Sequence, residues 1–119
     1  MARPLAGFPD AWGNKRVSVM RVTGPASYAQ YTAPTTGGQD VPLQPNSGVK
    51  FADFAIGAVS DAGTHRAEVV QIEPSLVGGL TVPRTRLVLK WYLLSTGAEI
   101  GGGVNLSAQT VSIWVVGVN

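Results

Sequence analysis

The sequence predicts an all-β domain: an antiparallel β-sandwich, jelly-roll-like, with an irregular N-terminal arm. Three observations lead there. Fifteen glycines and eight prolines punctuate the 119 residues. The segments between these breakers are short and rich in Val, Ile, Phe, Trp, Tyr and Thr, the side chains that fit a pleated surface. No segment repeats its apolar residues at helical spacing over three turns. The length fits one domain, long enough to bury a core without disulfides or metals. Residues 1–14 read as the arm and residues 15–119 as the sandwich.

The arm holds Pro4 and Pro9, which fix φ and remove backbone donors. It also carries Leu5, Phe8 and Trp12, three large apolar groups that a free tail seldom has, so it is expected to dock on its own domain or on a neighbour. The first strand is "KRVSVMRVTG" (15–24). Val17 and Val19 share one face, and then Met20 and Val22 take over on the other. That change of phase predicts either a β-bulge or a strand buried on both sides. "SYAQYT" (27–32) is expected as a second strand. A long loop (33–48) with Pro34, Pro42 and Pro45 follows.

"VKFADFAIGAV" (49–59) is expected as one strand. Asp61-Ala62-Gly63 supplies a tight turn, and "RAEVVQIE" (66–73) pairs back as a hairpin. Pro74 ends it, and "SLVGGLTVP" is a Gly-broken connection. "RTRLVLKWYLLST" (84–96) is expected as the longest strand. Leu87, Leu89, Trp91 and Leu93 line one face; Val88, Lys90, Tyr92 and Leu94 line the other. In the last strand (109–119), Val111, Ile113 and Val115 oppose Ser112, Trp114, Val116 and Val118.

These last two strands are apolar on both faces, whereas a sandwich strand has one face on the core and one in water. A second apolar face needs a cover: the arm, a loop or another subunit. Burial stabilises by roughly 1.5–3 kcal/mol per large side chain, and the same groups left wet make an adhesive patch. The expected contacts to partners are Leu5, Phe8 and Trp12 of the arm, together with Tyr92, Leu94 and Trp114 of the second face; the arm folding back on its own domain is the alternative. Trp91 is expected in the core. Trp114 and Tyr92 could also stack on sugars, but packing between subunits is the simpler role.

The charged fraction is 13%, against about 25% in average globular chains. Either the surface is polar and uncharged, or much of it is covered by partners. The net charge is +2 and the basic residues are scattered. A nucleic-acid binder presents a clustered basic face, so no direct nucleic-acid contact is expected. Arg84 and Arg86, two apart on a strand, read as a solvated edge. The absence of cysteine excludes disulfides, zinc–thiolate sites and thiol catalysis. His65 is the single histidine and sits in a turn-like segment, so it reads as a surface residue. No signal-peptide h-region and no run of about 18 apolar residues appears, so synthesis in a cytoplasm and no membrane contact are expected.

The stretch "STGAEIGGGVNLSAQT" (95–110) looks at first like a phosphate-cradling loop. A P-loop requires Lys-Ser/Thr after the glycines and a helix beginning there, and Val104-Asn105 follow instead. The spacing of a dinucleotide fingerprint is also absent. The glycines therefore read as a turn between strands, with Asn105 and Ser107 tying its backbone. Asn105–Ser107 also match an N-glycosylation pattern, which requires a secreted chain. Asp53 in "FADFAI" shares a strand face with Phe51 and Ala55, and reads as an edge residue or one bonded to loop backbone. No Ser-His-Asp arrangement exists. No enzyme activity, cofactor or metal is expected.

The segments "KRVSVMRVTGPASYAQYT", "VKFADFAIGAV" and "LVLKWYLLSTGAEIGGGVNLSAQTVSIWVVGV" resemble small structural proteins of tailed-bacteriophage virions. The resemblance covers residues 15–117. It rests on Thr23-Gly24 after a basic first strand, on Ser27-Tyr28, and on Asn105 to Ala108 after a Gly-rich turn. It implies a capsid decoration or cement protein on the capsid surface, assembled in the host cytoplasm. Such a protein binds the major capsid protein and itself, as a homodimer or homotrimer. A carbohydrate-binding adhesion module and a tail or head–tail connector subunit are the alternatives.

Overall fold

The computed structural model describes residues 15–32, 36–44, 47–73 and 84–118. The expected contacts Leu5, Phe8 and Trp12 lie outside the described residues. Among the described residues the chain forms strands β1 (Arg16–Thr23), β2 (Gln39–Pro42), β3 (Phe51–Ile56), β4 (Ala58–Val59), β5 (His65–Glu73), β6 (Arg86–Leu93) and β7 (Thr110–Val118). They build two antiparallel sheets, ordered β1-β7-β3 and β2-β6-β5-β4. The chain is all-β, and the two sheets pack as a sandwich.

The core follows from alternation along the strands. Side chains two apart share a face, so β7 turns Val111, Ile113 and Val115 inward while β6 turns Leu87, Leu89 and Trp91 inward. Met20 and Val22 of β1, Val41 of β2, Ala52 of β3 and Ala67 of β5 complete one continuous cluster, with Leu43, Val49, Ile100 and Leu106 from the loops.

Four details depart from the sequence expectations. First, β1 has no bulge: its register with β7 runs unbroken from Arg16↔Gly117 to Thr23↔Thr110. The change of phase has another cause. Ser18 sits on the inward side and donates its hydroxyl to the Ser47 carbonyl, while Val17 and Val19 face solvent. Second, the bulges lie in β3, between Ala52 and Phe54, and in β5, between Val69 and Gln71. The β3 bulge takes Asp53 out of the alternation, so it does not share a face with both Phe51 and Ala55 as a regular strand requires. Third, residues 27–32 form no strand and make only the bridge Thr32↔Thr36. Fourth, β6 has 8 residues, whereas β5 and β7 each have 9. The chain leaves β6 after Leu93 in a turn closed by Gly97 N–H to the Leu93 carbonyl at 2.8 Å.

The expected 49–59 strand is split at Gly57 into β3, in one sheet, and β4, in the other. The crossing brings the backbone of Gly57 against β5. A Cβ there would stand 2.0 Å from the Ala67 carbonyl oxygen, so only glycine passes. The hairpin with β5 is therefore confined to β4, where Ala58 pairs Ala67 and Val59 pairs Arg66. The Asp61-Ala62-Gly63 turn closes it, with Gly63 N–H donating to the Ser60 carbonyl at 2.9 Å.

Residues 27–32 are held by Tyr28 instead of by a ladder. Its ring is buried, and its hydroxyl donates to Glu99 Oε2 at 2.8 Å and accepts the Trp91 backbone N–H at 3.1 Å. Glu99 Oε2 also accepts the Tyr31 N–H at 2.6 Å. The Trp91 indole N–H donates to Gln39 Oε1 at 2.8 Å, and Gln39 Nε2 donates to the Thr23 carbonyl at 2.8 Å. Burial, reinforced by the Glu99 carboxylate, raises the Tyr28 pKa well above its ordinary 10.0.

Tyr28→Phe leaves the Trp91 N–H without its acceptor and Glu99 short of a donor. A loss of about 1–3 kcal/mol is expected, read by urea denaturation. The raised pKa also fixes the alkaline behaviour. Below pH 10 the phenol is neutral in folded and unfolded chains alike; above it the unfolded chain ionises first. Stability therefore falls as pH rises past 10, towards the higher folded-state pKa. Tyr28→Phe is expected to show a shallower alkaline decline than the wild type in pH-dependent melts.

Candidate interaction face

The register places one set of apolar side chains together on the outer surface of the β1-β7-β3 sheet. One row is Val19–Trp114–Ile56, because Val19 pairs Trp114 and Ile56 pairs Trp114. The next is Val17–Val116–Phe54. Phe51 and Val118 pair beyond it. Val17 is 52% exposed, Val19 46%, Phe54 46%, Ile56 57% and Trp114 50%, so these five large groups stand in water around Val116, which is only 8% exposed. Single exposed apolar residues are ordinary; a contiguous face of them marks an interaction surface.

Ion pairs bound the face at both ends. At one end Asp53, freed by the β3 bulge, pairs with Lys15 and with Arg84, the latter at 2.9 Å. At the other, Arg21 pairs with Asp61, its Nη1 lying 3.0 Å from Oδ1, and also donates to Ser112 Oγ at 2.7 Å. The guanidinium holds the Asp61 carboxyl below its ordinary range. Arg84 and Arg86 do not form one edge cluster: Arg86 pairs with Asp40, Nε to Oδ1 at 3.0 Å.

The outer surface of the β2-β6-β5-β4 sheet is different in kind. Tyr92 is half-buried there, with the Arg66 guanidinium 4.3 Å and the Lys90 ammonium 5.3 Å from its ring centre, and its hydroxyl reaches Glu68 Oε1 at 3.3 Å. Lys90 also lies over Tyr31, whose hydroxyl is 3.4 Å from Gln71 Oε1. Val88, on the same face, is buried beside Gly38 and Tyr31. The second apolar face of β6 is thus covered by the chain's own loop. That of β7 is not covered by any described residue.

The sequence grouped Tyr92, Leu94 and Trp114 as one face, and the fold separates them. Trp114 lies on one sheet and Tyr92 on the outside of the other, while Leu94 leads the turn after β6, 41% exposed. The residues that do accompany Trp114 are Val17, Val19, Phe54 and Ile56. The Val17/Val19 alternation carried that signal in the sequence, but finding the rest required the pairing of β1 and β3 with β7.

The Gly-rich loop is a latch. Gly103 takes φ +84°, Asn105 Oδ1 accepts the Ser107 N–H at 2.9 Å, and buried Leu106 donates its N–H to the Pro25 carbonyl at 2.8 Å. His65 begins β5, half-buried, with Nδ1 2.8 Å from Thr64 Oγ1. Among the described residues no group of three or more His, Asp or Glu side chains could hold a metal ion. No helix among them is long and apolar enough to cross a membrane. No family model, curated protein or solved structure matches the chain.

Replacing Val19 and Phe54 together by Thr keeps strand-compatible side chains and removes apolar surface from the face alone. The double variant is expected to bind less of the hydrophobic dye ANS. Its stability in denaturant is expected to stay within about 1 kcal/mol of wild type, since exposed positions contribute little.

Proposed function

We propose that the chain is a non-enzymatic structural subunit of a tailed-phage virion, a decoration protein that sits on the capsid exterior and reinforces it. The observation that carries this reading is the contiguous apolar face of β1, β7 and β3, left in water by a chain poor in charge. A protein that acts alone gains nothing from five large wet side chains in register. A subunit of a larger assembly covers them. The resemblance of residues 15–117 to virion proteins supplies the kind of assembly. Weak contacts repeated over many symmetric copies then act together, so each copy needs only modest affinity.

Sugar binding through Trp114 is the competing use of the same face. A glycan site combines a stacking ring with convergent polar groups. Trp114 is paired instead with Val19 and Ile56, which favours a protein contact.

The test is occupancy of purified capsids that lack the chain. Wild-type protein is expected to bind their exterior saturably and to raise the temperature at which they release DNA. Removing residues 1–14, which hold Leu5, Phe8 and Trp12, is expected to lower occupancy at least tenfold, measured by quantitative gel or cryo-electron microscopy. Wild-type protein that never binds the capsids would overturn the reading. Unchanged occupancy after the deletion would remove the arm from it.

A further inference from the structure

We propose that the free edge of β1 is a docking site for an extended segment of another protein, which adds to the β1-β7-β3 sheet as a fourth strand beside Val17, Val19 and Arg21. Unlike the decoration role, this seat is read from the backbone of β1 and the groove beside it alone.

Residues facing each other across an antiparallel pair alternate. One pair exchanges N–H···O bonds, and the next turns those groups away. The β1–β7 register fixes the phase. Gly24 N–H donates to the Gln109 carbonyl at 2.9 Å, one step beyond the Thr23↔Thr110 pair. Counting back by twos, Val22, Met20 and Ser18 are bonded to β7, while Thr23, Arg21, Val19 and Val17 turn their N–H and C=O groups outward. β7 is the one neighbour of β1 in its sheet, so no described strand meets these groups. The Thr23 carbonyl is taken by Gln39 Nε2 at 2.8 Å. Val17, Val19 and Arg21 remain as an open ladder, each with a donor and an acceptor.

The other described edges are blunted in the ways natural sheets use. β2 has 4 residues and ends at Pro42, and β4 has 2. β3 is bulged between Ala52 and Phe54, and its Ala52 N–H is already bonded to the Arg84 carbonyl at 2.9 Å. Among these edges β1 alone runs 8 residues without a break in register.

Side chains define the occupant. A strand added to β1 turns alternate side chains to opposite sides of the sheet. On the outer side they lie beside Val17 and Val19, both about half exposed. On the inner side they enter a groove of about 210 Å³ between the edges of β1 and β2, lined by Met20, Val22, Gln39, Val41 and Pro42. Apolar neighbours on both sides select a Val- or Ile-rich extended segment. In this mode of recognition main-chain bonds supply affinity and alternate side chains supply specificity. A second copy of this chain does not fit the seat. The inward side chains of its own β1, Met20 and Val22, are buried in its own core and cannot enter the groove. The occupant is a segment that belongs to no sheet until it docks.

The probe is an acetylated and amidated peptide, Lys-Val-Thr-Val-Thr-Val-Lys. Its lysines exclude attraction by charge to a chain that is itself net positive. The measurement is amide hydrogen exchange by NMR on the full chain. Without peptide, the amides of Val17, Val19 and Arg21 are expected to exchange at least about tenfold faster than those of Ser18, Met20 and Val22. Millimolar peptide is expected to slow the first set about tenfold and to leave the second set unchanged. The same peptide N-methylated at its valines changes only main-chain donors, and is expected to bind at least about tenfold more weakly. Val19→Pro removes one donor at a position where an edge strand tolerates proline. It is expected to keep the circular dichroism of the wild type and to lose the peptide to the same extent. A peptide that protects none of the three amides overturns the proposal, as does equal binding by the N-methylated peptide. Slow exchange at all three in the free chain, made fast by removing residues 1–14, overturns it and gives the edge to the chain's own N-terminal segment. Slow exchange made fast by dilution overturns it and gives the edge to a second copy.

Discussion

Trp91 is the point on which the sandwich is assembled. Its ring has no exposure, and its three polar groups are all used: the indole N–H on Gln39, the backbone N–H on the Tyr28 hydroxyl, and the carbonyl accepting Ile100 N–H at 2.9 Å. Those partners come from three separate parts of the chain. Gln39 begins β2, Tyr28 belongs to the segment after β1, and Ile100 to the loop after β6. A buried indole needs its donor satisfied, and here satisfying it holds the edge strand β2 to β6. Gln39 then reaches on to the Thr23 carbonyl, which ties β1, in the other sheet, to the same point. One residue thus joins apolar burial to a polar network spanning both layers.

The two outer surfaces follow from how each sheet is finished. The β6 sheet is closed by chain that Tyr28 holds in place, with Tyr31 and Gly38 beside Val88 and with Arg66 and Lys90 on Tyr92. Its apolar atoms end up under polar and charged groups. The β7 sheet receives no such cover from the described residues. Its outward side chains form an apolar surface, with Arg21 on Asp61 at one end and Lys15 and Arg84 sharing Asp53 at the other. The β3 bulge contributes directly: it turns Phe54 outward beside Val116 while releasing Asp53 towards Lys15 and Arg84. A regular strand would have set an acid among the valines, or turned Phe54 into the core.

Much of the architecture was legible from pattern alone. Strict alternation in β7 and β6 announced their inward faces, Trp91 included, and Asp61-Ala62-Gly63 and Asn105-Leu106-Ser107 carried their turn chemistry openly. The errors share one cause: contacts distant in sequence override local signals. Residues 27–32 have strand-like composition but are fixed by the Tyr28 hydroxyl on Trp91, 63 residues away. The segment 49–59 reads as one strand, yet Gly57 within it is the crossing between two sheets. Of the exposed apolar face on the β7 sheet, the sequence reading included only Trp114. Its neighbours depend on the register of β1 and β3 against β7, which no single segment encodes, and for the same reason Tyr92 and Leu94 were placed with it.

An apolar face beside the edge strand β1 carries a hazard as well as a use. Exposed, flat, Val-rich edges invite open-ended pairing with other chains. On β1 the alternation that exposes Val17 and Val19 is flanked by Arg16 and Arg21, and charge on an edge confines strand addition to the stretch they bracket. Extension across the face is limited differently. The ion pairs of Asp53 and Asp61 set its two ends, and a desolvated ion pair costs more than a buried valine gains. A contact that extended along the strands to either end would have to desolvate one of these pairs. The charged ends therefore contribute less to affinity than to position. They limit how far an apolar contact can extend along the strands.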